Sequence, residues 1–229
     1  MDMLGDFEDA DGDAGGDEYA EFAEEAVAPE YNVKDSILFV IDARKSMCAD
    51  HLALGGGGRS CFLQSLDCVL ACMRDRILGG DRDLVGVLLF GTEKAKVPNG
   101  HEGFDHVYVL QDLEEPSATS MRTISLIQAE QEQRAADCKP DLLGGGSGAS
   151  ASGEALPPRL GPDFGHLDNS QPLELANVLW VTSMLFNTSA AKNTRRRVYL
   201  LTNDDNPCSH SQAARARAFT RSRDLQQAN

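Results

Sequence analysis

Asp42 closes an apolar run, Ile37-Leu38-Phe39-Val40-Ile41, and Ser46 follows four residues later. A carboxylate at the carboxyl end of a buried strand, with a hydroxyl on the next turn, begins an oxygen-ligand site for a hard divalent cation such as magnesium. Later loops must supply the remaining oxygens. Asn169 and Ser170 precede the helical stretch at Leu173, and Thr202-Asn203-Asp204 follows a later apolar run. Two features argue against an ion. Arg44 sets a cation two residues from Asp42, and Asn203 presents an amide where a ligand carboxylate is needed. Asp204 supplies that carboxylate only if the loop register slips by one. The pattern reads as a degenerate metal site at Asp42, Ser46 and Asn203, with no metal and no other cofactor.

Other chemistries find less. Neither glycine cluster, Gly55 to Gly58 or Gly144 to Gly148, leads into the Gly-Lys-Ser or Gly-Lys-Thr of a phosphate-cradling loop. Histidines 51, 101, 106, 166 and 210 are scattered, and no serine or cysteine sits in a nucleophile motif. Cysteines 48, 61, 68, 72, 138 and 208 form no C-x-x-C pair and read as free thiols. No catalytic residue is assigned. The remaining signal is basic: Lys192, Arg195, Arg196, Arg197, Arg215, Arg217, Arg221 and Arg223 stand against only Asp204 and Asp205. Phosphate contact from such a surface is sequence-independent and salt-sensitive, whereas the bland alternative is a solvated helix face.

These residues need a frame. The 229 residues carry a net charge of −15, but twelve of the 36 acids lie in residues 1–33, which contain no Lys or Arg. From Lys34 onward 24 acids meet 21 bases, so the acidity belongs to an arm and does not argue against a nucleic-acid partner. Residues 1–33 read as a disordered acidic arm. No run of 18 apolar residues exists to span a bilayer, and the start lacks the basic and apolar regions of a secretory signal.

From residue 34 the apolar pattern alternates strand and helix. Strands are expected at Ser36 to Ile41, Leu84 to Phe90, Val107 to Leu110 and Val198 to Thr202, the last entered through Arg195-Arg196-Arg197. Helices are expected at Phe62 to Ile77, Ser117 to Ala136, Leu173 to Phe186 and Ser209 to Gln227. The short Pro98-Asn99-Gly100 link predicts a hairpin or meander between the second and third strands. A Gly-, Ser- and Pro-rich stretch at about 140–170 reads as a flexible surface insert. The whole predicts an α/β domain over 34–229, a three-layer Rossmann-like sheet with helices on both faces. It also predicts an incomplete domain with carboxyl-terminal strands missing, since the last strand's apolar edge is left without a following strand.

Several strings carry a resemblance. Von Willebrand A domains place D-x-S-x-S after their first strand, and here that position reads Asp42-Ala43-Arg44-Lys45-Ser46. Lys34-Asp35-Ser36-Ile37-Leu38-Phe39-Val40-Ile41-Asp42-Ala43, Phe90-Gly91-Thr92-Glu93-Lys94 and Thr202-Asn203-Asp204-Asp205-Asn206-Pro207 resemble the amino-terminal von Willebrand A-like domain of the Ku seventy-kilodalton subunits. Val107 to Leu113, Val178 to Val181 and Ala214 to Arg217 continue the likeness over residues 33–229. The resemblance implies a nuclear scaffold in a subunit that binds DNA double-strand ends without sequence specificity. It further implies non-homologous end joining, telomere maintenance, a second Ku subunit of the eighty-kilodalton class and other end-joining factors as partners, and no membrane. Family members are also labelled ATP-dependent DNA helicases and are credited with abasic-site lyase activity through an amino-terminal lysine. Glu30 stands before Tyr31 here, leaving Lys34 as the nearby amine. A metal-dependent von Willebrand A-type protein-binding module is the alternative reading. The family's DNA-encircling barrel lies outside these residues, so residues 1–229 alone are expected neither to dimerise stably nor to hold DNA ends tightly.

Overall fold

A computed structural model describes residues 34–49, 59–98, 104–137, 162–189, 194–208 and 210–227. The acidic arm at 1–33, Lys192 and the insert up to residue 161 lie outside the described residues.

The first apolar run forms β1 (Asp35–Asp42), in which every residue after Asp35 is buried. Its side chains alternate between two cores, as a pleated strand requires. Ile37, Phe39 and Ile41 meet Phe62, Leu66, Val69 and Met73 of α2 (Cys61–Gly79), with Ile124 and Ile127 of α3 (Ala118–Asp137). Leu38 and Val40 meet Val178, Val181, Leu185 and Phe186 of α4 (Leu175–Thr188). Helices therefore cover both faces, which is the three-layer α/β arrangement the sequence predicts. Ser60 caps α2 by accepting from the Leu63 N–H at 3.3 Å, and Gly80, at φ 69°, ends it.

The sheet order is β3-β2-β1-β4, with β2 at Leu84–Phe90, β3 at Val107–Glu114 and β4 at Arg195–Leu201. Strand β1 runs parallel to β2 and to β4, while β2 and β3 are antiparallel, as the short link predicts. The β2–β3 register shifts on either side of Val87, beside Gly86, whose missing Cβ leaves room for Leu38 and Leu113. A single turn, α1 (Lys45–Cys48), and α5 (Gln212–Gln227) complete the elements.

Three expectations are corrected. Strand β4 begins at Arg195, three residues before the expected Val198, because Arg195 to Arg197 pair with Asp35 to Ile37 of β1. An edge strand tolerates these charges; its outer edge has no partner strand among the described residues. Strand β3 continues to Glu114, four residues beyond the expected Leu110, because pairing persists to Val85. The part of the insert at 162–170 is packed: Phe164 and Leu167 are buried, and Leu167 exchanges backbone hydrogen bonds with Gly91 and Lys45. Apolar anchoring at two points fixes that segment as a strap across the carboxyl end of the sheet.

Candidate functional site

The parallel strands β1 and β4 end together, so their following loops converge. Asp42 sits there with its side chain fully buried. Arg44 folds back on it: Nε lies 3.1 Å from both carboxylate oxygens, Nη2 lies 2.6 Å from Oδ2, and the Arg44 N–H donates to Oδ1 at 3.0 Å. The same Nη2 reaches Asp204 Oδ2 at 3.0 Å. Thr202 donates its hydroxyl to Asp42 Oδ2 at 2.8 Å and accepts from the Asp204 N–H at 3.1 Å. These hydrogen bonds to Asp42, together with its negative charge, raise the affinity of the Arg44 guanidinium for its proton. Charge-assisted, bidentate pairing of this kind is strong and geometrically selective.

A further set of hydrogen bonds ties the same loops together. Asn169 Oδ1 accepts from the Ser46 N–H at 2.9 Å, and Asn169 Nδ2 donates to Ser46 Oγ at 2.6 Å. Ser46 Oγ donates to Asn203 Oδ1 at 3.1 Å, and Asn203 Nδ2 donates to the Ser46 carbonyl at 3.1 Å. Of the residues that the sequence groups, Ser46 and Asn203 bond each other, whereas Asp42 bonds Arg44 and Thr202. Asp204 brings its carboxylate to the Arg44 guanidinium, while the Asn203 amide bonds Ser46. The donor set does not fit a divalent ion: the acceptor capacity of Asp42 is spent on Arg44 and Thr202, and the guanidinium bridges both carboxylates.

Next to this cluster lies a cysteine–histidine pair that no spacing in the sequence announces. His166 Nδ1 donates to the Ala43 carbonyl at 2.6 Å, and Gln131 Nε2 stands 2.9 Å from His166 Nε2. Cys48 Sγ is 3.4 Å from Nδ1. Because a carbonyl only accepts, Nδ1 carries the proton and is no base for the thiol. Burial, reinforced by Asp42, pushes the Cys48 thiol up to about 12, the reverse of an activated nucleophile.

The basic residues divide. Arg196, Val198 and Leu200 line a cleft beneath α5, with Arg196 over the Phe186 ring at 5.6 Å. Arg197 pairs with Asp35 at 3.1 Å, one strand position along and therefore on the opposite face. On α5, Arg217 grips both oxygens of Glu174 at 3.0 Å, and Arg221 stacks on Trp180 at 4.1 Å while reaching Asp224 at 3.2 Å. Arg215 and Arg223 flank Phe219 at i, i+4 spacing, with Arg215 over that ring at 5.6 Å. Phe219 is 59% exposed, and neither arginine pairs with a carboxylate among the described residues. Arg195 is exposed on β4. Lys34 stands at the amino end of β1, 3.8 Å from Glu115, with Asp42 at the opposite end of that strand.

Comparison with known proteins agrees with this architecture. The Ku70/Ku80 N-terminal alpha/beta domain family matches residues 36–145 and 162–229. X-ray repair cross-complementing protein 6 of Mus musculus is 31% identical over 195 residues, covering 85% of this chain and 27% of that protein. ATP-dependent DNA helicase II subunit 1 of Chaetomium globosum is 30% identical over 199 residues, 84% of this chain and 28% of that one. ATP-dependent DNA helicase ku70 of Dictyostelium discoideum is 26% identical across 96% of this chain and 21% of its own length. The chain spans about a quarter of the length of these curated relatives. With helices on both faces of its sheet and a family match on either side of the insert, this chain belongs to the Ku70/Ku80 N-terminal alpha/beta domain family.

Proposed function

We propose that the chain is the macromolecule-contact domain of a Ku-type subunit acting at DNA double-strand ends. In this reading the whole protein binds ends without sequence specificity and supports non-homologous end joining and telomere maintenance in the nucleus. Its partners are a second Ku subunit of the eighty-kilodalton class, duplex DNA ends and other end-joining factors. The observation that carries the reading is the Arg215–Phe219–Arg223 stripe of α5. It combines an exposed aromatic ring with two cations that pair with no carboxylate among the described residues. Exposed arginines contact phosphates or acidic partners, and the closed cluster at Asp42 offers no competing reaction centre.

Fluorescence anisotropy on blunt duplexes of unrelated sequence tests it, with Arg215→Glu/Arg223→Glu as the variant. The expected result is weak binding, equal across sequences and falling steeply with salt. Each phosphate contact adds about −0.9 to the logarithmic salt slope, so the double reversal flattens it by about 2. The paired control is capture of an eighty-kilodalton-class Ku subunit. Duplex binding and capture both unchanged by the charge reversal would overturn the reading.

A further inference from the structure

The von Willebrand A pattern that the first-strand motif resembles gathers oxygen ligands for a divalent ion at the carboxyl end of the sheet, and this chain has Arg44 there. We propose that the Arg44 guanidinium is a tethered replacement for that ion, and that its presence keeps divalent cations out. The inference does not rest on the DNA-end reading.

Three observations converge. The first is bridging: Nη2 joins Asp42, at the end of β1, to Asp204, in the loop after β4, at 2.6 and 3.0 Å. A bound ion holds two such loops together in the same manner, through one charge shared by several oxygens. The second is fit. Gly91, at φ 72°, ends β2 beside the arginine, and a Cβ on it would fall 2.5 Å from Arg44 Cγ. The β2 end is thus shaped around the stem of this side chain. The third is closure. Arg44 is 5% exposed and Asp42 fully buried, so the guanidinium offers no open position to a partner's carboxylate, as a partly solvated ion does. Thr202 sets its hydroxyl on Asp42, and the Ser46–Asn169–Asn203 ring ties together the loops that follow β1 and β4 and the strap. Take the guanidinium away, and Asp42 remains a buried anion beside a hydroxyl and a second carboxylate. That is the donor set of a hard cation.

The consequence is a loop arrangement independent of magnesium in the natural chain and dependent on it in an Arg44→Ser variant. Thermal unfolding of the full chain, with magnesium or a chelator, tests this. Ligand binding to the folded state alone raises the Tm by mass action. The natural chain is expected to show no shift either way. Arg44→Ser is expected to unfold at a lower temperature in chelator and to recover as magnesium rises, while Asp42→Asn/Arg44→Ser recovers nothing. A magnesium-dependent shift in the natural chain that vanishes in Asp42→Asn would overturn the proposal. So would a serine variant indifferent to magnesium, or one that stays unfolded at saturating magnesium, because the ion would then not take the guanidinium's place.

Discussion

At the scale of single residues, burial decides which groups react. Cys48 lies beside a histidine, the pairing that activates a thiol when the imidazole accepts its proton. Here the imidazole N–H is committed to the Ala43 carbonyl, and burial and Asp42 hold the proton on sulfur to about pH 12. The unfolded thiol loses it near 9.0. The raised value means that Cys48 supports the fold fully below about pH 9, and that this support is lost between there and 12. Denaturation midpoints measured across that alkaline window are expected to fall, with a shallower fall in Cys48→Ala. Alkylation reads the difference directly: exposed Cys68 is expected to be labelled well before Cys48. Labelling of Cys48 at the rate of Cys68 would contradict this account.

At the scale of elements, the strap at 162–170 shows how a loop-like sequence is captured. Glycines and prolines surround it, yet Phe164 packs against Phe62, Tyr108 and His166, and Lys94 donates its N–H to the Phe164 carbonyl at 2.9 Å. The strap carries His166 to Cys48 and Asn169 to Ser46, so it completes the set of hydrogen bonds that ties these loops together. Phe164→Ala is expected to cost about 3–5 kcal/mol in chemical denaturation, the range for a buried ring with a persistent cavity. A cost near that of a surface change, below about 0.5 kcal/mol, would mean the strap is not anchored there. Helix α5 behaves in the opposite way. Its periodicity is legible, but only Ala214 and Ala218 are buried, so its arginines are placed by neighbours and not by its own apolar face. Arg217 goes to Glu174 and Arg221 to Trp180, which leaves Arg215 and Arg223 as the accessible pair.

At the scale of the molecule, the chain corresponds to about a quarter of the length of its relatives. Its hold on duplex DNA is expected to weaken sharply with salt, since Arg215 and Arg223 face solvent with no carboxylate partner among the described residues. Salt-resistant nanomolar binding by the purified chain would contradict this. The apolar strands, the amphipathic helices, the hairpin between β2 and β3 and the family strings were all legible in the sequence. Each is written within some 10–20 consecutive residues, where burial of one face imposes a period of two or of about 3.6. Position within the sheet was not legible at that range. Arg44 meets Asp204 across 160 residues, and Cys48 meets His166 across 118. Only the parallel alignment of β1 with β4, and the strap folded over their ends, brings those partners within bonding distance. The sequence by itself determined which residues are apolar, charged or titratable and which elements they form. Whether Arg44 repels a cation from Asp42 or stands in its place was decided by tertiary structure, because side-chain direction and burial exist only once the loops have converged.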